Sequence, residues 1–331
     1  MSRVEAGAPG RPRRTRRKRV LDVLRIGFLV VVLVAVGAAL WSNWEEVRGD
    51  LGRIGPVTLL AATALAMLSP FVTVLGWRVL LADLGSRLHI APASGVFFVG
   101  QLGKYLPGSV WSVVVQTEMA VRLGVPRRRT AVVGLLCIGL SALTGLVVGL
   151  PALPVLLTRG DAVLPWWGVL LLVAGLLVLL WPPLLNLGIR TALRLLRRPP
   201  LEHSLSAPAV ALSSLWFTLS WVVGGLSVWV MAHALAPDDA DASRLVLVAV
   251  SGYLLAAGIG MFSIVVPAGV GVRDGVMVLL LTTQMSISAA TAVVVVARFL
   301  TVVGDVVWAA AGWLWARSHH LLPERRRRVR T

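Results

Sequence analysis

Charge is what this sequence has least of. Of its 331 residues, 14% are charged and 57% are hydrophobic, with a mean hydropathy of +0.84; soluble domains carry about 25% charged residues. That excludes a soluble globular chain and points to a polytopic membrane protein. Negative charge is scarcer still, with 15 Asp and Glu against 32 Lys and Arg, a formal net charge of +17. In a soluble protein that excess would suggest nucleic acid. Here it lies mostly in the two tails and short loops, where an anionic inner leaflet is the simpler partner, so no nucleic-acid partner is expected. The single cysteine, Cys137, permits no internal disulfide. The five histidines, His89, His203, His233, His319 and His320, show no metal-ligand spacing, and neither metal nor cofactor is expected.

What is present is organised around the stretch from Gly95 to Gly124, apolar but interrupted by Leu106-Pro107-Gly108. Each apolar half is about 12–14 residues, and a span needs about 20. Proline removes a backbone donor and clashes with the preceding turn, which argues against one continuous helix. Arg78 and Arg87 precede the stretch, and Arg122, Arg127, Arg128 and Arg129 follow it. Positive charge marks the cytoplasmic side, so the segment enters and leaves on one side as a re-entrant helical hairpin.

The chain then reads in order. Residues 1–19 form a disordered basic cytoplasmic tail, residues 20–316 a single transmembrane domain, and residues 317–331 a second basic cytoplasmic tail. A first helix spans about 20–41, too long for the core of a signal peptide. A second covers about 57–82 and is kinked at Ser69-Pro70, a third about 130–157 and a fourth about 166–187. A basic connection with Arg190, Arg194, Arg197 and Arg198 follows, then a fifth helix at about 209–235 and an acidic loop at 237–243. The run from Leu245 breaks at Pro267 and resumes at Val272 as a half too short to span, before a last helix at about 287–315. The expected fold is all-α and polytopic, about six full transmembrane helices plus two re-entrant hairpins, in the plasma membrane with both termini cytoplasmic. A later hairpin that crosses completely would make eight spans and keep the termini on one side.

The two broken segments share a pattern. Gly100 lies seven residues before Pro107 and Gly260 seven before Pro267, and each proline opens a small-residue turn. Interrupted segments in corresponding halves point to an inverted-repeat transporter with its site between them, although glycine and proline are common in membrane helices.

Charges inside apolar segments cost about 2.5–3.5 kcal/mol each on insertion scales, so each needs a partner, water or a role. Lys104 and Glu118 flank the first break, Arg273 and Asp274 open the half-helix after the second, and Arg298 and Asp305 lie in the last helix. Arg298 and Asp305 share a face about 10 Å apart, too far to pair directly. One reading is a polar cavity in which Lys104, Arg273 and Arg298 attract an anionic headgroup while Glu118, Asp274 and Asp305 balance them or relay protons. Amides at the two broken-helix starts would assist with a phosphate. The other reading makes these residues structural clips, Arg298–Asp274 among them. Arg78, Asp83 and Arg87 read as interfacial anchors, and the tryptophans as belt residues.

The motifs GQLGKYLPGSVW and PAGVGVRDG resemble the paired signature of the lysylphosphatidylglycerol synthase/flippase transmembrane family, the membrane half of the multiple peptide resistance factors and of many stand-alone bacterial proteins. Matching positions are Gly103, Lys104, Tyr105, Pro107 and Gly108, then Pro267, Gly269, Gly271, Arg273, Asp274 and Gly275. The family more often has glutamate where Asp274 stands. The resemblance implies a bacterial lipid-handling membrane domain, in some members one that moves aminoacylated phospholipid between leaflets. The full-length synthases also carry a cytosolic aminoacyltransferase domain. After Trp315 only the short stretch 316–331 follows here, so lipid lysylation by this chain alone is not expected, and it is read as a non-enzyme. Its expected partners are membrane lipids, with a separate lipid-modifying enzyme or a second copy in a homodimer as further candidates.

Three functions are in play. The first is a flippase for an anionic or aminoacylated phospholipid or a polyprenyl-linked lipid. The second is a non-catalytic subunit that docks a lipid-modifying enzyme through its basic tails. The third is a membrane glycosyltransferase, for which Asp239, Asp241, Glu45 and Glu46 are the candidate outer carboxylates.

Overall fold

The computed structural model describes residues 44–105, 110–157, 166–262 and 271–319. Every regular element among them is helical. In chain order these are α1 (Trp44–Arg53), α2 (Pro56–Asp83), α3 (Ile90–Gln101) with a 3-10 turn at Leu102–Tyr105, and α4 (Trp111–Val121). Then come α5 (Arg127–Gly149), α6 (Leu153–Leu157), α7 (Trp166–Leu179), α8 (Pro182–Leu195) and α9 (Ala207–Leu235), followed by α10 (Ala242–Phe262), α11 (Val272–Leu281) and α12 (Ile287–Ser318). Five helices are long and apolar enough to cross a membrane, and the α7–α8 pair, bent by 56°, adds a sixth candidate. Large apolar side chains face outward along them: Leu60 is 71% exposed, Leu171 66% and Phe299 65%. A contiguous apolar exterior of this kind belongs against lipid. The expected first helix at 20–41 and most of both tails lie outside the described residues.

Two boundaries differ from the sequence reading. The fourth helix stops at Leu179 and turns at Trp181-Pro182-Pro183, because a proline pair cannot continue the hydrogen-bond ladder. Arg190 and Arg194, expected in a connection, lie on α8. Pro70 lies inside α2, which continues through it as one helix of 28 residues, and a neighbouring helix packs beside it, a setting in which membrane helices tolerate proline.

That neighbour is α9, and the contact is reciprocal. The Ser69 hydroxyl donates to the Ser220 carbonyl at 2.9 Å, and the Ser220 hydroxyl donates to the Ser69 carbonyl at 2.7 Å. Thr73 Oγ1 lies 2.7 Å from Ser220 Oγ. Counted from Pro56 at the start of α2 and from Ala207 at the start of α9, Ser69 and Ser220 hold the same position. The two helices run antiparallel, since Ser227 meets Ala62 and Phe217 meets Gly76. Equivalent positions exchanging equivalent bonds is what a two-fold axis through this contact produces.

The rest of the packing obeys the same relation. α2 leads to the α3–α4 hairpin and then α5; α9 leads to the α10–α11 hairpin and then α12. Each hairpin packs on the closing helix of the other unit. Gly95 of α3 meets Gly312 and Trp315 of α12, while Leu255 of α10 meets Gly149 of α5. Gly95 precedes Pro107 by the same interval as Leu255 precedes Pro267. Small residues at these crossings let the backbones approach, the main means of helix association in lipid. The arms are unequal, however: α10 has 21 residues against 12 in α3. Its register on α5 (Leu255 at Gly149, Gly258 at Leu146) places its end level with about residue 142, roughly 22 Å from Arg127. Long enough to cross by composition, α10 thus ends inside the bundle.

At the basic end the units are tied by side chains. Arg129 is buried and donates to the Gly85 carbonyl at 2.7 Å, to Ser86 Oγ and to Glu202; Arg128 also donates to Glu202. Asp83, expected as an interfacial anchor, instead accepts from Ser206 N and Oγ at 2.8 Å and so caps the start of α9. Desolvation pushes the Glu202 carboxyl up, but the Arg128 and Arg129 guanidinium groups outweigh it, leaving its pKa below the ordinary 4.5. A depressed carboxylate contributes stability above the unfolded value and loses it as pH falls through the folded one. Glu202→Gln is therefore expected to lower the melting temperature at pH 7, with the gap to wild type closing below about pH 4.5. Ser220→Ala should cost about 1–3 kcal/mol, from two or three interhelical hydrogen bonds, read by thermal unfolding in detergent.

Candidate functional site

Described residues that flank the two hairpin breaks come together in the middle of the bundle. Asp305 lies on α12, between its start at Ile287 and its end at Ser318, about 27 Å and 20 Å from them along the axis. It is 5% exposed. Lys104 Nζ approaches its Oδ2 at 2.6 Å, and the Tyr105 hydroxyl donates to the same oxygen at 2.6 Å. Both donors come from the turn that ends the first hairpin's rising arm. That turn is held against the returning arm by close backbone contact: a Cβ on Gly103 would lie 2.4 Å from Ser112 N, so any larger residue would push Lys104 and Tyr105 off Asp305.

From the second hairpin comes Arg273, in the first turn of α11. Its guanidinium lies over the Tyr253 ring, 4.6 Å from the centroid, a cation–π contact that gains strength where water is excluded. Tyr253 is buried on α10 and packs edge-on to Trp221, whose indole donates to the Ser141 carbonyl at 2.8 Å. Arg273 is within electrostatic range of Asp274 and Asp305, and Tyr105 is within range of Arg273 and Arg298. Residues from both hairpins and from α12 thus share one electrostatic environment. Arg298 lies on the same face of α12 as Asp305, about 10 Å along it, as the seven-residue spacing requires.

Two expected site residues have other work. Glu118 is 60% exposed and accepts from Arg127 Nη2 at 2.9 Å and Nε at 3.2 Å; it sits at the basic end, where the hairpin leaves the bundle, and is not brought to Lys104. Asp274 Oδ2 accepts the Gly271 N–H at 3.1 Å, capping α11 after a residue at φ 86° that glycine holds without strain. The carboxylate paired with Lys104 is Asp305, and the direct clip is Lys104–Asp305. Pro107, Gly108, Pro267 and Gly269 lie outside the described residues. The outer carboxylate Asp241 accepts from Ser243 N and Oγ and from Arg244 N, capping α10. Among the described residues, no group of three His, Cys, Asp or Glu side chains could hold a metal ion.

Tyr253 escaped the sequence reading. A signal was available: the chain has only two tyrosines beside 13 tryptophans, and Tyr105 and Tyr253 lie one in each broken segment.

These features define a class: a multi-pass helical membrane protein whose two interrupted hairpins carry polar groups into the bundle. The family model described as "Lysylphosphatidylglycerol synthase TM region" matches residues 26–309, most of the chain. The chain belongs to that family, and is accordingly a lipid-related integral membrane protein. A comparison with curated proteins gave no match.

Breaking a buried ion pair by removing one partner strands the other charge. Asp305→Leu is expected to destabilise by roughly 2–4 kcal/mol, below the fully buried range because Lys104 is about a third exposed. Lys104→Met with Asp305→Leu should recover more than half of that loss in a double-mutant cycle followed by thermal unfolding.

Proposed function

We propose that this protein moves phosphate-bearing lipid headgroups between leaflets, with Lys104, Tyr105 and Arg273, beside the two breaks, as the polar step of the path. The observation that carries this reading is the joint placement of Lys104, Tyr105 and Arg273, from oppositely directed hairpins, around Asp305. A lipid changing leaflets keeps its chains in hydrocarbon while its headgroup must cross it. Fixed cations and hydroxyls halfway across offset the loss of hydration, which is otherwise prohibitive for a charged group.

The paired units suggest how access would alternate. Each hairpin packs on the other unit's closing helix, so a rocking of one unit against the other about the Ser69–Ser220 contact would change the side to which the central site opens. Pseudo-symmetry of this kind is the usual basis of alternating access, with the site fixed near the midplane. The family assignment, whose printed description names lysylphosphatidylglycerol synthase, supports a phospholipid as the cargo class. No bond is made or broken in this scheme, and the protein acts as a translocator and not as an enzyme.

The test is leaflet exchange in reconstituted vesicles, scored with fluorescent anionic and zwitterionic phospholipids and with a lysyl-modified lipid. Wild type is expected to exceed empty vesicles. Lys104→Ala and Arg273→Ala should each lower exchange at least about tenfold, the scale of one lost charge-assisted hydrogen bond, while the protein elutes as wild type in size exclusion. Exchange indistinguishable from empty vesicles for every lipid would overturn the reading.

A further inference from the structure

Helix α8 lies away from the central site, and its side chains sort into three sectors around its axis. Leu185, Ile189 and Leu193, four residues apart, form an inward stripe. The first two pack on the core cluster that holds Leu81, Leu84 and Leu205, and Leu193 is buried. Arg190 and Arg194 are exposed and stand on one flank of that stripe, about 100° and 140° round from Ile189. Gly188 and Ala192 take the other flank, and Leu184, Leu187 and Leu195 the opposite face. Leu195 is 80% exposed and Leu196, the next residue, 70%. A helix within the bilayer meets protein and hydrocarbon only. A basic sector set between a packed stripe and an exposed apolar face suits a helix at the boundary, with acyl chains on one side and headgroups on the other.

The level of α8 agrees. Asn186 Nδ2 donates to the Leu205 carbonyl and Asn186 Oδ1 accepts from Leu205 N, both at 2.9 Å. Leu205 directly precedes Ser206, the cap of α9, so this two-way clamp fixes α8 at the start of a membrane-length helix. Trp181, exposed at the turn into α8, suits the same boundary. From 162 to 201 the chain has no aspartate or glutamate, and Glu202, the next one along, is engaged by Arg128 and Arg129.

The end of α8 adds an observation of another kind. The Arg198 N–H donates to the Leu193 carbonyl at 2.8 Å and the Arg197 N–H to the Arg194 carbonyl at 3.0 Å, the Schellman pattern that closes a helix. Its left-handed residue is most often glycine, and the residue after it is frequently apolar. Here they are Arg197, at φ 52°, and Arg198. A side chain in the left-handed region strains the backbone, so arginine stands where folding alone favours glycine. The helix dipole accounts for positive charge near this end but not for the strain at Arg197.

We propose that α8 is a membrane-surface helix whose four arginines, Arg190, Arg194, Arg197 and Arg198, dock on the anionic headgroups of the leaflet at the basic end. The exposed leucines beside them enter the acyl chains. A lipid surface supplies negative charge and hydrocarbon within one helix diameter, which favours it over an acidic protein. This is a standing contact with the surrounding leaflet, separate from any lipid carried through the bundle, and it does not rest on the translocator reading.

The test uses the full chain with Cys137→Ala and a bimane fluorophore on Leu187→Cys or Leu195→Cys, in vesicles of equal parts phosphatidylglycerol and phosphatidylcholine. In parallel samples one lipid or the other carries a nitroxide near the top of its chains, and quenching reports which of them lies against α8. Both labels are expected to be quenched, with phosphatidylglycerol favoured at least about threefold. High salt should bring that ratio toward one, as should changing all four arginines to glutamine. A label on Leu60→Cys, lipid-facing near the opposite end of α2, should show no such preference. Arg197→Gly alone should raise the melting temperature in detergent and lower the preference; a purely capping arginine predicts the rise with the preference unchanged, and that result would overturn its role here. Labels at both α8 positions left unquenched by either lipid would place the helix in water and overturn the proposal in favour of a soluble partner. Equal quenching by the two lipids, a measurement that needs no arginine variant to fold, would overturn the selection for anionic headgroups.

Discussion

An aspartate in the middle of an apolar bundle cannot stand alone, and the architecture around Asp305 answers that constraint. Its carboxylate takes an ammonium and a phenol at 2.6 Å each, both delivered by the turn at Leu102–Tyr105. For the turn to reach it, the first hairpin must rise about 18 Å into the bundle and stop there. The hairpin's depth, the glycine at position 103 that lets its arms close, and the packing of α3 along α12 all follow. Gly95 against Gly312 brings the helices near enough at the basic end for Lys104 to arrive at Asp305 further in.

The second constraint is the relation between the two units. The reciprocal Ser69–Ser220 hydrogen bonds lie where equivalent positions meet, and the hairpins cross over to the opposite unit's closing helix on either side. Such a frame repeats its connectivity, with arms of unequal length, and is strongly asymmetric in chemistry. The ion pair belongs to one hairpin, with Lys104 and Tyr105 on Asp305; the other contributes an arginine resting on an aromatic ring, Arg273 over Tyr253. Repetition of the backbone supplies two equivalent paths to the centre. Divergence of the side chains makes the centre a single site, with Lys104 and Tyr105 on Asp305 at its core.

Polar connections at the basic end are of a different kind. Arg128 and Arg129 on Glu202, Arg127 on Glu118 and Asp83 on Ser206 join loops and helix starts where water and lipid headgroups are close. The Glu118 and Glu202 carboxylates are largely exposed, at 60% and 53%, and exposed pairs contribute little individually. They hold ends in register, while the central cluster is where desolvation makes each charge consequential.

Much of this was legible in the residues. The long helices follow from uninterrupted apolar runs, the breaks from Pro107 and Pro267 with their small neighbours, and the family from the motifs around Lys104 and Arg273. Local chemistry writes those features: hydropathy along a run, a missing amide proton, a left-handed turn at Gly271. Sequence spacing also showed that Arg298 and Asp305 share a face without meeting. What the sequence could not state is which side chain meets which across the bundle. Lys104 and Asp305 come from opposite halves of the chain, as do Ser69 and Ser220. The reach of Glu118 was equally ambiguous, since either Lys104 or Arg127 would satisfy a carboxylate in that stretch. Only the packing of α3 on α12, and the exit of α4 toward Arg127, assigned Asp305 to the centre and Glu118 to the edge. Hydropathy and backbone chemistry are properties of neighbours in the chain, whereas the pairing of Lys104 with Asp305 and of Glu118 with Arg127 depends on neighbours in space.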